Sequence, residues 1–123
     1  MDDGAGQLRQ PPVHGVETAD GTVVVHLCGE LGLYNADELR DALEAVLEPR
    51  PERVVVDLER VDFIDSTALG VLIEARLRLE NARGFVLAAP GVEPRRTLEV
   101  SGIAEHFGLF DSVEAALAAP IPP

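Results

Sequence analysis

An apolar segment placed directly before a long helical pattern is the feature that most limits how this chain can fold. Residues 53–58 (RVVVDL) are apolar at four of six positions, which is typical of a strand buried on both faces of a sheet. Apolar residues then recur at helical spacing over 66–83, and Gly84 is a suitable residue to end that helix. Residues 61–65 are therefore predicted to form a loop that joins a buried strand to a helix.

The same alternation of strand and helix patterns extends over most of the chain. Strands are predicted at 13–18, 22–28, 53–58 and 85–89, with a short strand or irregular segment at 107–110. Helices are predicted at 35–47, 66–83, 94–100 and 111–118, the first capped by Asn35 with Glu38, the last by Asp111 with Glu114. A turn at 19–21 predicts an antiparallel hairpin at the start. Together these elements predict an α/β fold with a mixed, mainly parallel sheet and about four helices.

Length and composition predict one domain and its limits. A chain of 123 residues is close to the most common domain size. We expect a flexible N-terminal tail at 1–12, a single domain at 13–119 and a frayed end at 120–123. There is no apolar run near the roughly 20 residues of a membrane span and no signal-peptide pattern, so we expect a cytoplasmic protein. The single cysteine agrees with a reducing compartment.

The net charge of −12 restricts the classes of partner. A negative field of this size repels nucleic acid and anionic membranes, and it favours a partner with a basic surface. Direct binding to nucleic acid or to a membrane is therefore not expected.

The start of the helix at 66 contains the most specific motif. Asp65 and Ser66 are good N-cap residues, and Ser66 and Thr67 present hydroxyl groups at the positive end of the helix, where a phosphate is tolerated. The sequence Val-Asp-Leu, a short spacer, and then Phe-Ile-Asp-Ser-Thr-Ala-Leu-Gly-Val-Leu resembles the STAS domains of bacterial anti-sigma factor antagonists. The resemblance extends over about 16–117. It implies the STAS fold and places the family's regulatory phosphoserine on Ser66, with Thr67 as the rival acceptor.

The resemblance also implies a partner switch. The unphosphorylated domain would bind an anti-sigma factor that is similar to histidine-kinase-type ATPases but phosphorylates serine, and this would free a sigma factor. Phosphorylation of Ser66 would end the complex, and a metal-dependent serine phosphatase would restore it. In this scheme Asp65 fixes the start of the helix and Gly70 allows a close approach. The alternative is a STAS scaffold, an adaptor or a nucleotide-sensing module without a serine switch.

Helical geometry divides the residues after 65 into two lines. The core line contains the apolar residues predicted to face the sheet: Ala68, Leu72, Ala75, Leu79 and Ala82. The outward line contains Ser66, Gly70, Ile73 and Leu77, on the opposite side. An apolar strip aligned with the candidate phosphorylation site suggests a surface that docks the partner. Coverage of Ile73 and Leu77 by a neighbouring helix is an equally good explanation.

The remaining candidate residues offer no catalytic or metal site. Asp62 and Asp65 have no third ligand nearby in sequence, so they are interpreted as a cap and solvated charge that would face the partner. His14, His26, His106 and Cys28 are scattered. A phosphate-binding loop, a dinucleotide fingerprint and a nucleophile elbow are all absent, so we expect neither an enzyme nor a cofactor.

One position departs from the pattern of the family that the chain resembles. Many of its members have an acidic residue after Gly-Glu-Leu, in the loop near the phosphorylated serine, whereas this chain has Gly32. Any contribution of this position to partner or nucleotide contact is therefore an open question.

Overall fold

Five strands and four α-helices alternate along residues 11–123, the part of the chain that the computed structural model describes. The strands are β1 (Val13–Ala19), β2 (Thr22–Leu31), β3 (Arg53–Ile64), β4 (Phe85–Ala88) and β5 (Gly108–Phe110). The helices are α1 (Ala36–Leu47), α2 (Ser66–Arg78), α3 (Val92–Val100) and α4 (Val113–Ala118), with short 3₁₀ helices at Ala82–Gly84 and Ile103–Glu105. Within these residues no helix has the length and apolar character needed to cross a membrane.

The strands form one mixed sheet in the order β1-β2-β3-β4-β5. β1 pairs antiparallel with β2, and the remaining neighbours are parallel. The hairpin turns at Asp20 and Gly21, whose φ angles of 51° and 79° match the right-handed twist of the two strands. The predicted α/β fold, with its opening hairpin, mainly parallel sheet and four helices, is confirmed.

The sheet separates two apolar clusters of unequal size. The larger cluster lies between the sheet and α1, α2 and α3, and includes Leu43, Leu72 and Leu98. The smaller cluster lies on the opposite face, where Ala116 of α4 packs on Val55. Both faces of the first half of β3 are therefore covered, which explains why consecutive residues there, such as Val54, Val55 and Val56, are all apolar.

The predicted loop at 61–65 is wrong, because β3 continues to Ile64. β2 also runs to Leu31, three residues beyond its predicted end, and the two extensions pair with each other up to Leu31 and Ile64. The register shifts between His26 and Cys28 and again between Gly29 and Glu30. These irregularities break the alternation of apolar and polar residues, so the extension has no simple period in the sequence.

The predicted end of α2 is also wrong. The helix ends at Arg78, and Leu79 has extended backbone angles. The side chain of Asn81 accepts a hydrogen bond from Arg83 N and caps a 3₁₀ helix instead. Gly84 follows for a different reason from the one predicted: a Cβ atom there would lie 2.3 Å from the carbonyl oxygen of Glu52.

Two of the predicted helix caps are replaced by neighbouring interactions. The side chain of Asn35 makes no capping bond to α1; it accepts from Gly32 N and donates to the carbonyl oxygen of Glu30, both at 2.9 Å. At α4 the cap is Ser112, whose hydroxyl oxygen accepts from an amide in the first turn at 3.0 Å. Asp111 instead pairs with a side chain of α3.

The predicted domain limits fall partly outside the structure. Residues 1–10 of the expected tail lie outside the described residues. Pro12 is buried, and its carbonyl oxygen accepts a hydrogen bond from Cys28 N at 2.9 Å. At the other end, Asn81 donates to the carbonyl oxygen of Pro122 at 2.9 Å. The limits at 12 and 119 stay a prediction.

Candidate functional site

Ser66 is the first residue of α2, directly after the carboxyl end of β3. Asp65 is the N-cap: its backbone is extended, and its Oδ1 atom accepts a hydrogen bond from Ala68 N at 3.0 Å. The side chains of Ser66 and Thr67 are both exposed. Both hydroxyl groups are therefore accessible at the positive end of the helix, where added negative charge is stabilised.

Asp65 also connects α2 to the loop before α1. Its Oδ2 atom accepts from Leu33 N at 3.1 Å, and its own amide donates to the carbonyl oxygen of Leu31 at 3.0 Å. A Cβ atom at Gly32 would lie 2.4 Å from that same Oδ2 atom. The glycine that departs from the family pattern thus provides the space in which the carboxylate of Asp65 binds the loop.

Exposed apolar side chains surround this junction. Leu33 and Tyr34 are 72% and 86% exposed in the loop, and Phe63 is 48% exposed on β3. With Asp65 they line an open depression of about 650 Å³. These three residues were not predicted as site residues from the sequence, although an apolar pair beside glycines in a surface loop was the available signal.

The outward line of α2 is open in the structure. Ser66 and Gly70 are exposed, Ile73 is 38% exposed and Leu77 is 69% exposed. α1 packs beside the line, where Arg40 contacts Glu74 at 3.3 Å. Of the two explanations for the strip, coverage by a neighbouring helix is therefore not seen among the described residues.

Among the described residues, nothing sterically requires a glycine at position 70. A Cβ atom built there meets nothing within 4 Å. Glycine costs about 1 kcal/mol relative to alanine inside a helix, so the packing of residues 11–123 does not explain a glycine at this position, and its predicted role in a close approach stays a prediction.

The family model of the STAS domain matches residues 15–116. The chain belongs to the STAS family. The match includes every predicted site residue from Asp62 to Leu77.

Relatives of this STAS domain are anti-sigma factor antagonists. The anti-sigma F factor antagonist of Paenibacillus polymyxa is 32% identical over 100 residues, 79% of this chain and 85% of the relative. The crystal structure of an anti-sigma factor antagonist from Mycobacterium paratuberculosis is 33% identical, with a TM-score of 0.77 over 83% of this chain and 87% of that one. The chain is thus a STAS-domain member of the anti-sigma factor antagonist family.

A more distant structure, SpoIIAA, has the same fold. Its unphosphorylated form is 24% identical and matches with a TM-score of 0.70 over 84% of this chain and 91% of that chain. Its phosphorylated form matches with a TM-score of 0.62 over 84% of this chain and 95% of that chain.

Asp62 and Asp65, the two acidic residues predicted to face the partner, line different depressions of the STAS domain. Asp62 is exposed on β3, where it lines a separate depression with His14, Cys28 and Arg60. Asp65 lies at the other depression, with the loop before α1. Within residues 11–123 no cluster of three or more His, Cys, Asp or Glu side chains is arranged to hold a metal ion.

An ionised cluster lies away from the helix start, on β1, β2 and β3. His26 contacts Asp57 through Nδ1 at 2.6 Å and Glu17 through Nε2 at 2.5 Å. Partial burial lowers the pKa of His26, but hydrogen bonds and negative charge from Asp57 and Glu17 outweigh it and raise the pKa above its ordinary value. This cluster ties the edge strand to the centre of the sheet.

Proposed function

We propose that this protein is an anti-sigma factor antagonist whose binding to its anti-sigma factor is switched off by phosphorylation of Ser66. The observation that supports this most strongly is the continuous exposed line from Ser66 through Gly70 and Ile73 to Leu77. A kinase can reach the hydroxyl group, and a partner that docks on the line would cover it. The names of the relatives support the class of partner.

The proposed role of the protein is that of a regulated binding module and not of an enzyme. Ser66 is the substrate of a serine kinase, and the anti-sigma factor itself supplies the kinase activity and ATP. A serine phosphatase restores the binding form. The net charge of −12 favours a basic surface on the anti-sigma factor and opposes nucleic acid and membranes, consistent with action in the cytoplasm.

The physical effect of the phosphate follows from its position. It adds about −1.5 to −2 charges at neutral pH. The N-terminus of α2 accepts an anion, so the fold stays intact. An interface over Ser66 must however desolvate this charge next to Asp65. A loss of only about 2.7 kcal/mol there weakens binding roughly a hundredfold.

Phosphorylation by a purified serine-kinase anti-sigma factor with Mg²⁺ and ATP tests this proposal. Ser66→Ala is expected to abolish incorporation, whereas Thr67→Ala, which removes the neighbouring hydroxyl group, is expected to leave it intact. The phosphorylated protein should keep its far-UV circular dichroism spectrum and lose about a hundredfold in affinity. Its amide shifts should change mainly over 62–70.

Two results would contradict the proposal. Phosphate mapped only to Thr67 would reassign the acceptor. Unchanged affinity after stoichiometric phosphorylation of Ser66 would favour the alternative of a scaffold or nucleotide-sensing module without a serine switch.

A further inference from the structure

A pocket lies at the end of the sheet opposite Ser66. Strands β3, β4 and β5 begin there, at Arg53, Phe85 and Gly108, and a pocket of about 170 Å³ opens beside their first residues. Arg76, in the last turn of α2, also lines it, and at ~1.5 Å rise per residue it lies roughly 15 Å from Ser66 along the helix. Its lining residues do not include Ser66, Gly70, Ile73 or Leu77 of the outward line, although Arg76 directly precedes Leu77 in the chain.

The side chains that line the pocket carry positive charge, whereas the protein as a whole has a net charge of −12. Its lining residues include Arg53, Arg76, Arg83 and His106, and, within residues 11–123, no Asp or Glu. The whole chain has ten arginines, no lysine and 22 acidic residues. Three of its ten fixed positive charges therefore face one small pocket.

Two of these arginines use backbone oxygens as acceptors. Arg53 donates to the carbonyl oxygens of Ala116 and Leu117 at the end of α4. Arg83, at the exposed mouth of the pocket, donates to the oxygen of Pro123 at 3.1 Å. A guanidinium group has five N–H donors, so each of these arginines retains donors for another acceptor.

Arg76 provides the clearest sign of a missing acceptor. Its Nε atom is buried and has no hydrogen-bond partner in the described chain. Its guanidinium carbon lies 5.6 Å from the centre of the Phe107 ring, which holds the group in place without satisfying its donors. Within residues 11–123, the arginines that form an ion pair with an Asp or Glu side chain are Arg40, Arg78 and Arg95, and none of them lines the pocket.

We propose that this pocket binds a small organic anion, with a phosphate or carboxylate group against Arg76 and Arg83 and a compact apolar body against Phe110 and Ile121. The planar guanidinium fork matches the paired oxygens of both kinds of group. The apolar side chains that complete the lining select an anion with a hydrophobic body over a bare inorganic ion.

The test is a titration of the full chain, followed by backbone amide NMR. Phenyl phosphate and benzoate supply the two anionic groups on the same ring, while inorganic phosphate and phenol each lack one half of the proposed ligand. We expect saturable shifts at Gly84 and Gly108 with at least one of the ring anions. Inorganic phosphate and phenol should bind at least tenfold more weakly.

Charge-matched variants locate the site. Arg76→Gln and Arg83→Gln should each weaken the tighter ring anion at least tenfold. Arg96→Gln removes the same charge from an exposed position of α3 that is not among the lining residues, and should leave the affinity unchanged. Melting curves show whether Arg76→Gln is folded; Arg83 is exposed, so its variant tests the site even if Arg76→Gln is not.

Three results would overturn the proposal. The first is the absence of saturable shifts with both ring anions. The second is equal binding of phenol and phenyl phosphate, which would show an apolar groove without anion recognition. The third is equal weakening by Arg96→Gln, which would show an effect of net charge alone. None of these results bears on the switch at Ser66.

Discussion

Within α2, a helix of 13 residues, the first three residues of the core line and the whole outward line have different relations to the rest of the molecule. Ala68, Leu72 and Ala75 on the core line are at most 5% exposed, packed in the larger apolar cluster. Ile73 and Leu77 on the outward line are as apolar, yet they are exposed. Apolar character alone therefore does not identify a core residue, because position on the helix decides whether an apolar side chain is buried.

Lysine substitutions on the two lines should give the largest contrast. Leu72→Lys buries a charge and should destabilise the fold by about 3 kcal/mol or more. Leu77→Lys should change the free energy of unfolding by less than about 0.5 kcal/mol while weakening binding to the anti-sigma factor more than tenfold. Parallel thermal melting and affinity measurements check both values. A large loss of stability with unchanged affinity per folded Leu77→Lys molecule would remove the outward line from the interface.

A matched pair of alanine substitutions at glycines sharpens the contrast where the outward line begins. Gly32→Ala should displace the carboxylate of Asp65 and cost about 1 kcal/mol, because Asp65 would lose a hydrogen bond to Leu33 or its cap on α2. Gly70→Ala should stabilise the helix by up to about 1 kcal/mol but weaken the complex with the anti-sigma factor. Denaturant unfolding should show a lower free energy of unfolding for Gly32→Ala and a higher one for Gly70→Ala. Binding measurements should show a weaker complex for Gly70→Ala. Tighter binding by Gly70→Ala would be the clearest contradiction.

A change of pH should have the smallest effect on the free energy of unfolding, and it should not change binding through the outward line. The pKa of His26 is raised in the folded protein, so its interactions with Asp57 and Glu17 stabilise the fold fully below the pKa of the unfolded chain, near 6.5. This stabilisation is lost as the pH rises through the pKa of the folded protein. We expect a loss of less than about 1 kcal/mol between pH 6 and 8, in the range of partly exposed ion pairs. His26→Gln should flatten this dependence relative to His106→Gln, and affinity per folded molecule should not follow His26. Besides Asp57 and Glu17, His14 is a neighbour of His26: the centroids of the two rings lie 5.6 Å apart.

The type and order of the elements were predictable because apolar periodicity is a local property of the sequence. The motif around Ser66 was also predictable, since its residues are consecutive. The extension of β3 to Ile64 was not, because it depends on bulged pairing with a strand more than 30 positions earlier. The contact between Asp65 and Leu33 joins residues 32 positions apart, and local patterns contain no information about it. The early end of α2 was missed because Asn81 favours a local side-chain bond over the helix.

The two hydrogen bonds accepted by Asp65 join two segments into one cooperative unit. Its carboxylate holds Leu33 N of the loop and Ala68 N of the helix, so the first turn of α2 cannot fray without also loosening the loop before α1. In terms of local unfolding, one opening free energy governs both amides, and their hydrogen exchange protection should rise and fall together. The lifetime of the surface around Ser66 is then a property of the loop as much as of the helix that begins there.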